Sequence, residues 1–289
     1  MTGNQTNFSP AKFREINIPV FAKSFIDKID DLYSKSFQNL TQSQTLYRQA
    51  EELLLETIGL KDFQPSQTGT NIKSFKESFL ATGRLDAEYY QPKYEEIENK
   101  IKTFQTGYSL IKEHFKQNKQ IVDRSKKQYY YTEIGDINIG NGSFAYNLIN
   151  IDDLPDNAKI KSEKNDILIS KVRPNRGAVA IINEDIQDFI VSGAFTVLKE
   201  NSDYKKETLF VLLKTNVYKE WLLKYNVGTS YPVIKDDDIL NLPIPMIDGK
   251  IQQQISELVE KSFYLCGESK RLLDEAKDMV EKEIERINI

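Results

Sequence analysis

The chain contains one long amphipathic pattern twice, and the two copies stay 226 residues apart without a gap. In each copy apolar residues recur every three or four positions, which is typical of a helix that buries one face. Unrelated helices would share this period but not the residues themselves, so we interpret the pattern as a duplicated helix of roughly 60 Å. Identical residues at matched positions include Pro19 and Pro245, Ile29 and Ile255, Leu32 and Leu258, Ser43 and Ser269, and the tripeptide Lys-Ser-Phe at 35–37 and 261–263.

Each copy follows a short extended segment that contains proline, at residues 16–19 and 242–245. The first helix is predicted from about Phe21 to Ile58, with Gly59 as its C-terminal cap, and the second reaches the end of the sequence. Each helix has one end at the region between them, and each carries an apolar stripe. We therefore expect the two helices to pair as an antiparallel coiled coil.

The region between the copies combines helical and strand patterns. Residues 61–71 are rich in Pro, Gly, Ser and Thr and indicate a linker, and helices are predicted over 86–104 and 206–224, the second with Trp221 in the core. From Gln128 onward, β-branched and aromatic runs predict strands. One hairpin carries the loop Arg173-Pro174-Asn175-Arg176. The pattern predicts a mixed α/β domain inserted between the two long helices.

Several function classes have no support in the sequence. Cys266 is the single cysteine and His114 the single histidine, so the residues for a disulfide framework, a cysteine metal cluster or most nucleophilic triads are missing. No glycine-rich phosphate loop is present. We therefore predict no catalytic residue, no metal site and no cofactor. The sequence also has no long apolar run and no signal-peptide pattern, which predicts a cytoplasmic protein without a membrane partner.

The net charge of −4 argues against a nucleic-acid partner, but the distribution of charge argues for one. Residues 98–127 carry eight Lys or Arg against three Asp or Glu, and residues 156–176 carry six against three. The second helix, over 250–286, has seven basic and nine acidic residues. This separation is expected if the central domain faces phosphates and the helices face protein. A solvated surface of mixed charge remains the alternative.

Several segments resemble the target recognition domain of type I restriction-modification specificity subunits. They are Arg84-Leu85-Asp86-Ala87-Glu88-Tyr89-Tyr90, Tyr131-Thr132-Glu133-Ile134-Gly135-Asp136, Asn165-Asp166-Ile167-Leu168-Ile169-Ser170-Lys171 and Val227-Gly228-Thr229-Ser230-Tyr231-Pro232. Each is weak alone, but their order and spacing over residues 84–289 are specific. The resemblance implies an α/β (α+β) target recognition domain inserted between two long α-helices that form an antiparallel coiled coil.

The resemblance also implies a function and partners. A specificity subunit reads double-stranded DNA and directs DNA methyltransferase (M) subunits and a restriction/translocase (R) subunit to a target. Complete members have two recognition domains, whereas this chain resembles a half subunit, which would pair with a second copy or another half specificity subunit. The implied boundaries are the remnant of a preceding domain (1–15), the first conserved helix (16–60), a linker (61–84), the recognition domain (85–241) and the second conserved helix (242–289).

Two other functions remain open. The chain could be an adaptor or decoy that binds a methyltransferase without reading DNA, or the recognition part of a fused restriction enzyme. For DNA reading, Arg suits guanine, Asn suits adenine, and Lys, Ser, Thr and Tyr suit phosphates. The candidate DNA-binding residues are Lys119, Arg124, Lys126, Lys127, Tyr129, Asn141, Ser143, Lys171, Arg173, Asn175, Arg176, Thr229, Ser230 and Tyr231.

Overall fold

The structure is a computed structural model that describes residue 14, residues 18–227 and residues 231–287. It divides into two compact units, one of residues up to Gln42 together with residues from Tyr264 onward, and one of Ser43–Phe263. The helices are α1 Lys23–Thr57, α2 Phe79–Thr82, α3 Pro92–Lys102, α4 Ile111–His114, α5 Lys206–Lys214, α6 Asn216–Leu222, α7 Asp236–Leu240 and α8 Gly249–Ile287. The strands are β1 Tyr108–Leu110, β2 Phe115–Gln117, β3 Gln128–Thr132, β4 Asn147–Asn150, β5 Ala158–Lys161, β6 Ile167–Ser170, β7 Val179–Ile181, β8 Phe189–Ser192, β9 Phe195–Glu200 and β10 Pro243–Pro245.

In the first unit, α1 and α8 pack against each other in antiparallel directions. The Ser36 hydroxyl donates to the carbonyl oxygen of Ser269 over 2.9 Å, and the two hydroxyl oxygens also lie 2.9 Å apart. Further along, Leu32 packs against Leu272 and Ala276. From residue 32 to residue 36 along α1, the residue opposite on α8 changes from 272 to 269. The two helices therefore run in opposite directions. The predicted pairing of the two long helices is confirmed.

In the second unit, a matching serine pair joins the same two helices. The Ser43 hydroxyl donates to the carbonyl oxygen of Ser262 over 2.8 Å, and the Ser262 hydroxyl donates to that of Ser43 over 2.9 Å. Ser262 is the counterpart of Ser36 in the duplication, and Ser269 is the counterpart of Ser43. Each copy therefore bonds to the other through the same two serines, which is the pattern that a repeated sequence forms when it pairs antiparallel with itself.

Two four-stranded sheets form the body of the second unit. One has the order β2-β9-β6-β7 and is antiparallel throughout. The other has the order β4-β3-β8-β5, and its central strands β3 and β8 run parallel. Strands β1 and β10 pair separately, with Ser109 opposite Ile244, so the proline segment before α8 is hydrogen-bonded into the unit.

The larger core of the second unit lies between the first sheet and its helices. Helix α5 contributes Phe210 and α6 contributes Trp221, both fully buried. The same cluster includes Leu54 near the end of α1 and Val259 on α8. The prediction that Trp221 belongs to the core is confirmed. The predicted mixed α/β domain, with one long helix before it and one after it in the sequence, is also confirmed.

Two predicted helices have different bounds in the structure. The helix predicted over 86–104 begins only at Pro92, because Gln91 is extended and a residue before proline is disfavoured in the helical region. The helix predicted over 206–224 is broken at Thr215, whose ψ is 150° and whose side chain accepts a hydrogen bond from the Tyr218 amide. Thr215 thus acts as the N-cap of a new helix, α6.

The first long helix ends as the sequence predicts. Gly59 has a φ of +66°, and the Leu60 amide donates to the Leu55 carbonyl over 2.8 Å, so the last carbonyls of α1 are satisfied by a left-handed cap. The predicted linker over 61–71 has no helix or strand. Among the helices that the structure describes, none is both long enough and apolar enough to cross a bilayer.

Candidate nucleic-acid interface

Three segments that are far apart in sequence meet at one edge of the second unit. We call residues 138–143 the asparagine turn and residues 173–177 the arginine turn. The Arg173 amide donates to the Pro232 carbonyl over 2.7 Å, and the Ile234 amide donates to the Lys171 carbonyl over 3.0 Å. These bonds fix the segment 231–234 beside the arginine turn. A cleft of about 370 Å³ lies between the segments and is lined by Ile134, Gly135, Ile137, Ile139, Val172, Arg173, Arg176, Ala178 and Tyr231.

The arginine turn is a rigid connection between β6 and β7. Arg173 has a φ of +50°, which is unusual for a residue with a side chain, and Gly177 has a φ of +72°. A single 3₁₀ turn lies between them, and the Arg176 amide closes it by donating to the Arg173 carbonyl over 2.9 Å. Pro174 is buried. A strained residue persists only where its surroundings hold it, so the turn presents its side chains in a defined geometry.

The turn carries side chains of the types that suit base reading. Asn175 and Arg176 are exposed, and Arg173 is half-buried with its guanidinium carbon 5.1 Å from the centre of the Tyr231 ring. In the part of the chain that the structure describes, the arginines in ion pairs are Arg84, Arg271 and Arg286, not those of this turn. A guanidinium with no carboxylate partner retains its hydrogen-bond donors for a ligand such as guanine O6 and N7.

The asparagine turn is closed by its own polar groups. Asn138 accepts a hydrogen bond on its side-chain oxygen from the Gly140 amide over 2.9 Å, and its backbone amide donates to the Ser143 carbonyl over 2.8 Å. The side-chain oxygen of Asn141 accepts a hydrogen bond from the Ser143 amide over 2.9 Å. Asn141 and Ser143 are both half-buried. The candidate Asn141 therefore stabilises the turn with its side-chain oxygen.

Lys171 is held inside the unit. Its ammonium lies 3.0 Å from the carboxylate of Asp236, and its side chain is only 19% exposed. Asp236 also accepts a hydrogen bond from the Thr196 hydroxyl over 2.6 Å. Burial raises the pKa of Asp236, but the hydrogen bonds from Thr196 and Lys171 outweigh it, so the pKa lies below its usual value. Lys171 therefore anchors the base of the arginine turn to the start of α7.

The third segment, taken as residues 226–234, includes residues outside the described part of the chain. Thr229 and Ser230 lie there, and Tyr231, which follows them, is 47% exposed. At the other end of the segment, Arg84 donates to the Asn226 carbonyl over 3.0 Å and forms two bonds to Asp86 of 2.7 and 2.6 Å. The Arg-Leu-Asp motif therefore has a structural role, since it ties the chain before α3 to the start of this segment. The sequence alone did not indicate this partner for Arg84.

The basic candidates before β3 form a separate group. Lys119, Arg124, Lys126 and Lys127 are all exposed, whereas Tyr129 is buried and its hydroxyl accepts a hydrogen bond from the Lys126 amide. These residues precede β3, and the cleft begins at Ile134 beyond its other end. A five-residue strand spans roughly 13 Å at about 3.3 Å per residue. The structure therefore does not bring this group to the arginine turn, although both belong to the same unit.

The described residues contain no cluster of side chains suited to a metal ion. No group of three or more His, Cys, Asp or Glu side chains is close enough to hold a metal ion among them. His114 is half-buried, and its Nδ1 lies 2.7 Å from the Ser202 hydroxyl. What the site offers chemically is a set of hydrogen-bond donors on two fixed turns beside a cleft with apolar walls.

Comparison with known proteins identifies relatives of the chain. Residues 106–274 match the model of the type I restriction modification DNA specificity domain. The chain is 31% identical over 136 residues to the type I restriction enzyme HindI specificity subunit of Haemophilus influenzae, a match that covers 45% of this chain and 30% of that protein.

Two solved structures are also similar to the chain. The HsdS subunit from Thermoanaerobacter tengcongensis is 22% identical, with a TM-score of 0.45, over 60% of this chain and 46% of that one. The type I restriction-modification S subunit from M. genitalium is 15% identical, with a TM-score of 0.43, over 95% of this chain and 63% of that one. The chain thus spans less than two thirds of each of these three proteins. The domain model alone matches more than half of its residues, and the chain belongs to the family of type I restriction modification DNA specificity domains.

Proposed function

We propose that this chain is a DNA sequence-recognition subunit of a type I-like restriction-modification system and has no catalytic activity of its own. It binds double-stranded DNA through residues 85–241, and its long helices bind methyltransferase and restriction/translocase subunits. The observation that carries the DNA-reading part is the arginine turn, where a strained backbone presents Arg173, Asn175 and Arg176 without a carboxylate partner. Membership of the family supports the same assignment.

The two groups of candidates have different roles in this proposal. The arginine turn and Tyr231 contact base edges in the major groove, because arginine and asparagine form paired hydrogen bonds with guanine and adenine. Lys119, Arg124, Lys126 and Lys127 contact phosphates, which position the protein without reading sequence. The two groups are separated by the length of β3, which suits one patch that reads bases and another that contacts the phosphates of the DNA backbone.

The test selects a preferred duplex from a random library and compares variants on it. Arg173→Ala and Arg176→Ala should each weaken binding by roughly 1–3 kcal/mol and relax the preference at particular base pairs. The matched control is Lys126→Ala with Lys127→Ala, which should weaken binding to all sequences alike and make the salt dependence less steep. Neither pair is part of the core, so the fold should be retained in both.

The outcomes separate this proposal from its rivals. If the arginine variants select the same duplex as the wild type, the arginine turn does not read sequence. If the wild type selects no duplex but still purifies with the methyltransferase subunit, the chain is an adaptor or decoy. If it selects a duplex but binds no methyltransferase or translocase subunit, the assignment of the helices to those partners is wrong.

A further inference from the structure

A buried lysine connects the two turns of the candidate interface. Lys214 is the last residue of α5 and is only 6% exposed. Its ammonium donates to the Ile139 carbonyl of the asparagine turn over 2.7 Å and to the Gly177 carbonyl of the arginine turn over 3.5 Å. The two carbonyls belong to segments 38 residues apart in sequence, so the lysine joins parts of the interface that have no local connection.

Both turns also rest directly on the helices that carry this lysine. A Cβ atom at Gly142 would lie 2.5 Å from the Phe210 ring of α5, and one at Gly177 would lie 2.9 Å from Cδ of Lys219 on α6. Both glycines have positive φ. A residue with a Cβ atom at either position would therefore strain the backbone and also clash with the neighbouring side chain. Because Phe210 and Lys214 lie one turn apart on α5, this short helix supports both turns.

The environment of Lys214 determines when it carries its charge. Its pKa is lowered to about 8, mainly by burial and also by the positive charge of Lys219, while the charge of Glu51 on α1 acts in the opposite direction. The ammonium also lies 5.5 Å from the centre of the Phe210 ring and 5.9 Å from that of Tyr47. The Tyr47 hydroxyl is buried, and this burial raises the pKa of the tyrosine, so it stays neutral. The positive charge is thus held by carbonyl oxygens and ring faces.

We propose that Lys214 is a positioning residue of the interface, which fixes the asparagine turn relative to the arginine turn through the two carbonyls and so determines sequence selectivity without touching DNA. This inference rests on the proposed function for its DNA readout. The charge matters because a hydrogen bond from a charged donor is about twice as strong as one from a neutral donor. Loss of the proton should therefore loosen the two turns while leaving the helices in place.

The first test compares Lys214→Met with the wild type on the selected duplex and on a scrambled duplex. Lys214→Met should lower the ratio of the two affinities about tenfold, while binding to the scrambled duplex stays within about twofold, because the phosphate-contacting lysines are unchanged. The matched control is Lys282→Met, an exposed lysine of α8 that should leave the ratio unchanged. A wild-type ratio in Lys214→Met would overturn the proposal.

The second test uses only the wild-type protein, so its result does not depend on whether a variant folds. Between about pH 8 and the ordinary lysine value of 10.5, the unfolded chain binds more protons at Lys214 than the folded chain. The contribution of this residue to the free energy of unfolding therefore rises with pH in that range. Selectivity should fall between about pH 7 and 9, on either side of the folded pKa of about 8, as the ammonium is lost. Selectivity that stays constant between pH 7 and 9 would refute the positioning role.

A DNA-free readout separates this inference from the proposed function. Hydrogen exchange of the Gly142 and Gly177 amides, which donate to Asn138 and Pro174, should be faster in Lys214→Met than in the wild type. If the wild type selects no duplex but these amides still lose protection, Lys214 holds the turns and the DNA-reading function is wrong. If protection is unchanged in the variant, the positioning role is wrong whatever the DNA result.

Discussion

The two copies of the duplicated helix have matching sequences but different surroundings. In the second copy Ile244 and Val259 are fully buried, whereas their counterparts in the first copy, Ile18 and Tyr33, are 79% and 59% exposed. Phe263 packs against the core with its ring centre 5.4 Å from that of Phe210, while its counterpart Phe37 is 61% exposed.

The serines of the two copies do not differ in this way. Ser36, Ser43, Ser262 and Ser269 are all buried. The seam between the helices is thus equivalent in both copies, and the difference lies on the face away from the seam. In the second copy that face is covered by the core of the domain, and in the first it is an exposed apolar surface, which is often a site of protein contact. We propose that a second copy of this chain or another half specificity subunit covers it.

The largest expected effect is on stability, from truncating the two equivalent phenylalanines. Phe263→Ala should lower the free energy of unfolding by about 2–3 kcal/mol, because a partly buried aromatic ring leaves a cavity beside Phe210. Phe37→Ala should change it by less than about 0.5 kcal/mol, since an exposed side chain loses few contacts. Urea unfolding of both variants measures the difference. Equal losses would show that the first copy is as well covered as the second.

The next effect is on association. Replacing Tyr33 and Phe37 by Asp should weaken self-association, or binding to a partner half subunit, by about tenfold or more, because a buried unpaired carboxylate is costly. Sedimentation velocity over a range of concentrations measures this. Ile72→Asp is the matched control, since Ile72 is 91% exposed and lies outside both helix copies. An unchanged association constant in the double variant would exclude this surface as the contact.

The sequence predicted the features that repeat locally. The period of apolar residues and the 226-residue offset predicted the helices, their antiparallel pairing and the end of α1 at Gly59. Apolar, β-branched runs on both sides of residues 173–176 predicted the hairpin that carries the arginine turn. These predictions succeeded because each depends on residues that lie a few positions apart, or on a direct comparison of two copies.

The features that the sequence did not reveal depend on contacts between distant segments. Nothing local indicates that β3 pairs parallel with β8, or that residues near 140, 175 and 232 meet at one cleft. The basic segment before β3 and the arginine turn were grouped by charge alone, and only the length of β3 shows that they are apart. The bond of Arg84 to Asn226 and the bonds of Lys214 to two turns leave no periodic signal, because each joins single atoms across the fold.

A smaller effect should come from the serine pairs, which test whether the seam is equivalent in both copies. Ser36→Ala and Ser43→Ala should each lower the free energy of unfolding by about 1 kcal/mol, as each leaves a buried serine without its partner. The two losses should agree within about 0.5 kcal/mol. Replacing both members of a pair should cost less than the sum of the single changes, which a double-mutant cycle measures. Clearly unequal losses would show that the duplication no longer forms equivalent contacts.

The smallest effect on affinity, but a specific effect on geometry, should come from lengthening the helices. One heptad inserted after Asn39 and one after Leu265 would add matched turns between the Ser36–Ser269 and Ser43–Ser262 pairs and would leave Tyr33 and Phe37 on one continuous surface. Seven residues add about 10.5 Å and rotate the seam by only about 20°, so the helices can still pair. Type I-like enzymes act on split targets, and on this proposal the exposed surface of the first copy receives a partner with its own recognition domain.

The insertion therefore changes the distance between two DNA-reading modules without altering either one. A shift of about 10.5 Å corresponds to roughly 3 base pairs at about 3.4 Å each, so the gap between the two half-sites should grow by about that number while their sequences stay the same. Two copies of this chain would read a palindrome, because a symmetric dimer presents the same surface to both strands, whereas a different half subunit would give an asymmetric split site. Methylome sequencing of hosts with the wild type and with the insertion distinguishes these cases. A single undivided motif that the insertion leaves unchanged would show that the chain reads DNA alone, and that the exposed face of the first helix copy does not carry a second recognition domain.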